Sequence, residues 1–333
     1  METQQKPGTR MRAAVAYRFG GPEAVRVEQR PTPTPKADEL LVRVHASTVS
    51  IADYRMRSRD LPEGLGFLVP ISLGFFRPRK PVLGMDLAGV VVAVGDKVTG
   101  FAPGDEIIAM PGGMFGAHAE YARVPQSKAI ARKPASLDMQ ESVALVFGGH
   151  TALAFLERAG VGPGDEVLVN GASGAVGTAA VQLAKQRGAR VTAVCGTRNV
   201  DLVRSLGADR VIDYTAEDFT KNGETYDAIL DCVGNAPFDR VADSIKPGGA
   251  LLLVVTSLRS MVRASRDSRR SGKLVTISGT PVSQDQFSEL SRLADAGALR
   301  PVTDRTYDLD DVVEAHRYVD TGHKTGSVVL RIA

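Results

Sequence analysis

Cysteine is scarce in this chain: 333 residues contain only Cys195 and Cys232. Two thiols cannot build a disulfide framework or a four-thiolate metal site. Each lies in an apolar run that reads as a strand, so both are expected to be small core residues. Long apolar runs are missing as well. The longest, 64–76, is interrupted by Pro70 and by glycines, and it falls well short of the roughly 20 residues a membrane-spanning helix needs. Residues 1–10 are polar and lack the apolar centre of a signal peptide, which predicts a loose tail on a soluble, cytoplasmic protein. No charge sign dominates. With 41 Lys and Arg against 38 Asp and Glu, the net charge of +3 is too small to imply a nucleic-acid partner.

What is present is ordinary globular material, 43% apolar and 24% charged. Since one compact domain usually holds roughly 100–200 residues, the length predicts two. The halves read differently. From Met11 to about Leu137, short β-type runs (12–17, 39–49, 87–94, 106–109) are broken by Gly20-Gly21-Pro22, Gly95-Asp96 and Pro103-Gly104-Asp105. The run 39–49 alternates as a half-buried strand does. From about Glu141 the pattern becomes alternating strands and helices: strands at 166–170, 190–195, 210–213, 226–232, 250–256 and 273–278, with helices at 176–187, 200–206 and 236–245. Such βα repeats predict a parallel sheet covered on both faces. A helix over 284–296 stops at Gly297. The last segment, 300–333, fits either domain by periodicity. The basic run Arg259–Lys273 reads as a mobile, solvated connection, or alternatively as an attractor for an anionic substrate such as an acyl-CoA.

The most informative motif is 167–177, Val-Leu-Val-Asn-Gly-Ala-Ser-Gly-Ala-Val-Gly. It joins a β-branched strand to a helix start. Glycines there let backbone approach a pyrophosphate, and the free N–H groups of a helix N-terminus face its charge. Ser173, Gly174, Ala175, Val176 and Gly177 are therefore expected cofactor contacts. A fold that prefers NAD usually ends its second strand in Asp or Glu, which binds the ribose 2′-hydroxyl. This chain instead continues Cys195-Gly196-Thr197-Arg198-Asn199. Arg198 offers a planar fork to a 2′-phosphate, although a solvated surface arginine is the competing reading. NADPH is the expected cofactor, with Gly196, Thr197 and Arg198 at its adenosine end.

Together with this loop, the landmarks Gly20-Gly21-Pro22-Glu23, Pro81–Val90, Pro103-Gly104-Asp105-Glu106, Leu206-Gly207-Ala208-Asp209 and Val211-Ile212-Asp213-Tyr214 give a specific pattern. The chain resembles the medium-chain dehydrogenase/reductase superfamily in its zinc-free, quinone oxidoreductase-like branch, over almost its whole length. The resemblance implies a GroES-like, partly open β-barrel domain (1–140 and 285–333) and an inserted, doubly wound parallel-sheet Rossmann domain (141–284). It implies an interdomain cofactor cleft with Tyr214 at the adenosine end. Cys232, Val233, Gly234 and Thr256 would line the way to the nicotinamide, and the turn His323-Lys324-Thr325 would also touch cofactor. It further implies a homodimer joined at strand 273–278, whose exposed sheet edge invites pairing with a second copy.

Zinc members of that superfamily carry a cysteine where this chain has Ser50, and a histidine where it has Met85. Neither supplies a zinc ligand of the usual kind, and no metal is expected. The histidines are scattered, and except for His323 each reads as a surface or packing residue. Without a Lewis acid, an unactivated ketone is a hard substrate. A quinone or α,β-unsaturated carbonyl is easier, because hydride addition leaves a delocalised oxyanion that needs only a hydrogen-bond donor or a proton. The expected catalytic candidates are Tyr54 and Asp53 in Ser50-Ile51-Ala52-Asp53-Tyr54. This matches the family's Asn-Pro-x-Asp-aromatic segment only in part, and Tyr54 could equally be cleft wall. The apolar 61–76 segment could cover substrate or simply pack on the β domain. Alternatives to the enone or quinone reductase are an enoyl-thioester reductase, a carbonyl reductase and a weakly active NADPH-binding redox sensor.

Overall fold

A computed structural model describes residues 10–60, 74–111, 113 and 115–333. Most of the 61–76 segment, and the tail before residue 10, lie outside the described residues. β1 (Arg10–Ala16) and β2 (Val25–Pro31) form an antiparallel ribbon running from Arg10↔Pro31 to Ala16↔Val25. β3 (Glu39–Thr48), α1 (Ile51–Ser58), β4 (Leu87–Val94), β5 (Glu106–Met110), β6 (Tyr121–Pro125) and β7 (Ala129–Arg132) follow. β3 pairs antiparallel with both β4 and β6, and the sheet continues through β5 to β7. The alternation in β3 predicts one wet face; the structure instead buries every residue except Arg43 and His45. Val42 and Val44 enter a core with Leu87, Ile107 and Val124. On the opposite side, Ala46 packs with Ile108, Val143 and Val329. Both faces are covered, so alternation understates burial.

The cover on that second side is α2 (Met139–Ala159). A capping box, Asp138 with Glu141, starts this helix, and Gly160 ends it in the left-handed region at φ 68°. α2 is apolar around much of its girth because it lies between two sheets. Val143 and Val146 face the first, while Leu145, Leu153 and Leu156 join the core of the second. That second sheet contains β8 (Glu166–Asn170), β9 (Arg190–Cys195), β10 (Arg210–Asp213), β11 (Tyr226–Asp231), β12 (Ile245–Leu253) and β13 (Leu274–Thr276). Its helices are α3 (Ala175–Gln186), α4 (Val200–Ser205), α5 (Phe238–Val241) and α6 (Leu258–Ser271). All its pairings are parallel, in the order β10-β9-β8-β11-β12-β13. The direction of winding reverses between β8 and β11, which is where doubly wound sheets bind ligands.

Three local expectations are corrected. The helix expected at 236–245 shrinks to α5 and one 3-10 turn, and β12 begins at Ile245, because Ile245 pairs with Tyr226. The basic run is no loose connection but helix α6, capped by the Ser257 side chain and ended by Gly272 at φ 69°. Only Ala264 of α6 is buried, which is why its composition reads as solvated. The strand expected over 273–278 is three residues long.

The C-terminal part settles what periodicity left open. α7 (Gln284–Asp295), with a Ser283/Gln286 capping box, packs against β7 and α2. β14 (Thr303–Asp308) pairs parallel with β15 (Ser327–Arg331) around α8 (Val312–Asp320), and β15 pairs antiparallel with β3. The chain therefore leaves the parallel sheet and returns to the first one, which becomes seven-stranded.

Candidate functional site

The carboxyl ends of β8, β9, β11 and β12 open onto a cavity of ≈ 1160 Å³, whose facing wall includes residues 48–51 and Arg55. Between β8 and α3 the chain turns at Gly171 (φ +80°), a left-handed conformation that strains any other L-residue. A Cβ at Gly177 would lie 2.2 Å from the Gly171 carbonyl oxygen, so α3 can start this close to β8 only with glycine there. Gly174 is the N-cap and supplies no side-chain acceptor. The first-turn amides of Ala175, Val176 and Gly177 are thus uncapped, and all three residues line the cavity with Ser173 and Gly174. Amides in this arrangement, with the helix dipole behind them, suit a phosphate. Beneath them Asn170 Nδ2 donates to Asp231 Oδ1 (2.9 Å) and to Asn235 Oδ1 (2.7 Å), bridging the strands on either side of the reversal.

After β9, Gly196, Thr197 and Arg198 also line the cavity, as does Tyr214 after β10. A Cβ at Gly196 would stand 3.2 Å from the Tyr214 hydroxyl, so the glycine lets the ring lie against the loop. Arg198 donates to the His323 carbonyl. The turn that offers this carbonyl is itself anchored. Gly326 N–H donates to the Ser173 carbonyl (2.8 Å), Thr325 Oγ1 to Asn199 Oδ1 (3.1 Å), and Thr325 N–H to Asp304 Oδ2 (2.7 Å). His323 and Lys324 reach the cavity wall, whereas Thr325 braces the turn from behind. Lys324 Nζ donates to the Gly326 carbonyl (2.7 Å), and burial pulls its pKa down to about 8 against the opposing pull of Asp304.

Cys232 and Val233 line the cavity after β11. Gly234 (φ +92°) does not; it forms the turn, held by its N–H on Asp231 Oδ1 (3.0 Å). Thr256 also stands off the wall, and Val254 and Val255 take the place expected for it. Burial pushes the Cys195 thiol up to about 11 and raises that of Cys232 further, so neither is a thiolate at neutral pH.

The expected catalytic pair is placed differently. Asp53 is fully buried and spent on local structure. Its Oδ2 accepts from Ser50 N–H (2.9 Å) and Ser50 Oγ (2.6 Å), and its Oδ1 from Gly84 N–H (2.8 Å). This closes the capping box of α1 and ties it to the loop before β4. Tyr54 is off the cavity wall, and its hydroxyl donates to Asp60, which raises its pKa. Neither residue lines the cavity.

The residues that do are Thr48, Val49, Ser50, Ile51 and Arg55 on one wall and Phe147, Thr151 and Phe155 on another. Their signal is helical phase. Ile51 and Arg55 are one turn apart on α1, and the α2 residues repeat at i, i+4, i+8. Adjacency to Asp53 points to Tyr54, but at 100° per residue that is the wrong face. Thr48 is fixed from behind: its N–H and Oγ1 donate to Asp86 (2.8 and 2.6 Å), and its carbonyl meets His118 Nε2 at 3.0 Å. His118 and His316 are both fully buried, packing residues as expected, with ring centroids 6.1 Å apart. Met85 packs against the core of the seven-stranded sheet. Among the described residues, no three His, Cys, Asp or Glu side chains are grouped as a metal ion would need.

Two families match the chain: the alcohol dehydrogenase GroES-like domain over residues 36–135 and the zinc-binding dehydrogenase family over residues 206–330. A chloroplastic quinone-oxidoreductase of Triphysaria versicolor is 33% identical over 97% of this chain and 99% of its own. A chloroplastic NADPH-dependent alkenal/one oxidoreductase of Arabidopsis thaliana is 31% identical over 96% and 79%. The solved quinone oxidoreductase of Coxiella burnetii superposes with a TM-score of 0.84 at 27% identity, covering 98% of this chain and 100% of that one. With the GroES-like and parallel-sheet architecture and a glycine loop at the sheet reversal, this similarity over nearly full length places the chain in the medium-chain dehydrogenase/reductase superfamily, among its quinone oxidoreductase-like members.

Proposed function

We propose that this protein is an NADPH-dependent reductase that adds hydride to a quinone or an α,β-unsaturated carbonyl without a metal ion. The observation that carries the reading is the cleft itself. One wall presents three uncapped helix amides and Arg198, and the wall facing it presents, among the described residues, Thr48, Val49, Ser50, Ile51 and Arg55, with no acidic, thiol or imidazole group. Relatives named as a quinone-oxidoreductase and as an NADPH-dependent alkenal/one oxidoreductase support the same substrate class. Bound NADPH supplies the hydride. The α3 amides hold its pyrophosphate, Arg198 favours a 2′-phosphate, and Tyr214 flanks the adenosine.

The zinc positions of the superfamily do not suit a metal here. The Ser50 hydroxyl is committed to Asp53, and Met85 packs into the core. The hydroxyls nearest the substrate are likewise turned into the protein: Thr48 donates to Asp86, Ser50 to Asp53 and Thr151 to the Phe147 carbonyl. With these three hydroxyls engaged, the proton is left to water. A quinol anion or enolate tolerates this, because its charge is delocalised, whereas a simple alkoxide does not.

Steady-state oxidation of NADPH against quinones, 2-alkenals, cyclic enones and unactivated ketones tests this, with elemental analysis of the same preparation. Turnover of the first three at far less than one zinc per chain is expected. Activity confined to unactivated ketones, or dependent on stoichiometric zinc, would overturn it.

A further inference from the structure

Four cationic side chains of the described residues line the cavity: Arg55, Arg198, Arg240 and Lys324. Three have partners. Arg198 donates to the His323 carbonyl, Lys324 to the Gly326 carbonyl, and Arg240 to the Asn235 carbonyl and Asp218. The two carboxylates on the wall, Glu217 and Asp218, are likewise engaged, by Arg210 and Asn222 and by Thr220 and Arg240. Arg55 differs. Its guanidinium makes no hydrogen bond or ion pair with any described residue. Burial lowers its pKa, and the field of Asp60 offsets this only in part, since Asp60 takes its hydrogen bond from Tyr54 instead.

A partly desolvated guanidinium without a paired carboxylate among the described residues is unfavourably placed, and its planar fork matches a carboxylate in a bidentate pair. Arg55 stands one helical turn beyond Ile51, on the same wall as Thr48 and Ser50 and facing the sheet ends. We infer that Arg55 binds an anionic group of the substrate, so that the preferred substrates are enones carrying a carboxylate conjugated to the reducible bond, the 4-oxo-2-alkenoates. This rests on the reductase reading above. In the reaction, the alkene carbon β to the ketone gains hydride, its neighbour gains a proton from water, and NADPH leaves as NADP+. The product is the saturated 4-oxoalkanoate. Pairing at Arg55 anchors the carboxylate end of the molecule to this wall, with the carbonyl–alkene unit in the cavity.

The test compares kcat/KM for trans-4-oxo-4-phenyl-2-butenoate and for its methyl ester, which has the same skeleton and is the more electrophilic. The unmodified protein is expected to prefer the acid by about tenfold or more, the size of one charge-assisted pair. Arg55→Gln should bring the acid-to-ester ratio to about one or below, mainly through KM for the acid, and Arg55→Lys should restore part of it. An acid-to-ester ratio that is the same in the parent and in Arg55→Gln overturns the assignment. So does a variant that loses NADPH affinity and keeps the ratio, because Arg55 would then serve a cofactor phosphate. If neither compound is turned over, the panel of quinones and 2-alkenals judges the reductase reading separately. Calorimetry with 4-oxo-4-phenylbutanoate then decides the Arg55 site: binding lost in Arg55→Gln supports it, and binding absent or unchanged rejects it.

Discussion

Arg198 stands where a dinucleotide fold preferring NAD puts a carboxylate, and its contact with the His323 carbonyl holds it at the cavity edge. We expect NADPH to bind at least tenfold more tightly than NADH, about 1.4 kcal/mol. Arg198→Ala should remove most of that gap in titrations with both cofactors, and equal affinities in the parent would reject the role. Asp86 carries a second expectation. Burial pushes its carboxyl up to about 7, although Thr48 donates to it and so pulls the other way. In the unfolded chain the same group releases its proton near pH 4. Between those values the folded state holds a proton the unfolded state has lost, so stability falls as pH rises from about 4 to about 7 and then levels off. The whole effect is at most about 4 kcal/mol. Asp86→Asn is neutral throughout and should flatten the slope. Chemical denaturation at pH 5 and pH 8 checks this: an unchanged difference between variant and parent would show that Asp86 is not the titrating group. At this scale the glycine turns on the parallel-sheet side of the cavity were legible, since glycines act through backbone shape, which sequence displays directly. The facing wall was not. Tyr54 and Arg55 are neighbours in the chain, and only the phase of α1, fixed by burial of Asp53, Met56 and Arg57, decides which one meets the cavity.

Helix α2 runs between the two sheets and comes close to the N-terminus of α3. A Cβ on Gly148 would lie 2.2 Å from the Ala175 carbonyl oxygen, a backbone atom that cannot swing aside. Gly148→Ala should therefore push α3 away and cost about 1–3 kcal/mol in denaturant unfolding. Because Ala175 opens the turn proposed to hold the cofactor phosphates, NADPH affinity should fall with stability; a variant that binds NADPH as the parent does would show the contact relaxes without moving α3. Elements of the parallel sheet were readable from composition, because buried β-branched runs alternate with helical runs at short spacing. Those misread have a common cause. β3 is covered by a partner distant in sequence, and α6 buries only Ala264, so neither local alternation nor local polarity reports their surroundings.

At the level of the whole molecule, β13 is the edge strand of the parallel sheet, paired on one side only with β12. Such an edge invites a twofold-related copy. Light scattering at micromolar concentration should give twice the mass of the chain, and a monomer would count against pairing there. The other place where distant parts of the chain meet is the link between the Gly326 N–H and the Ser173 carbonyl, with the Gly174–Gly326 bridge beside it. Because donor and acceptor are both main-chain atoms, the side chain at 173 can drift through generations of substitution without touching the link. Position 326 has no such latitude: its φ is +66°, and any Cβ would stand 2.1 Å from the Val302 carbonyl oxygen. The freedom to vary is thus unequal across a single hydrogen bond, with one partner replaceable and the other confined to glycine.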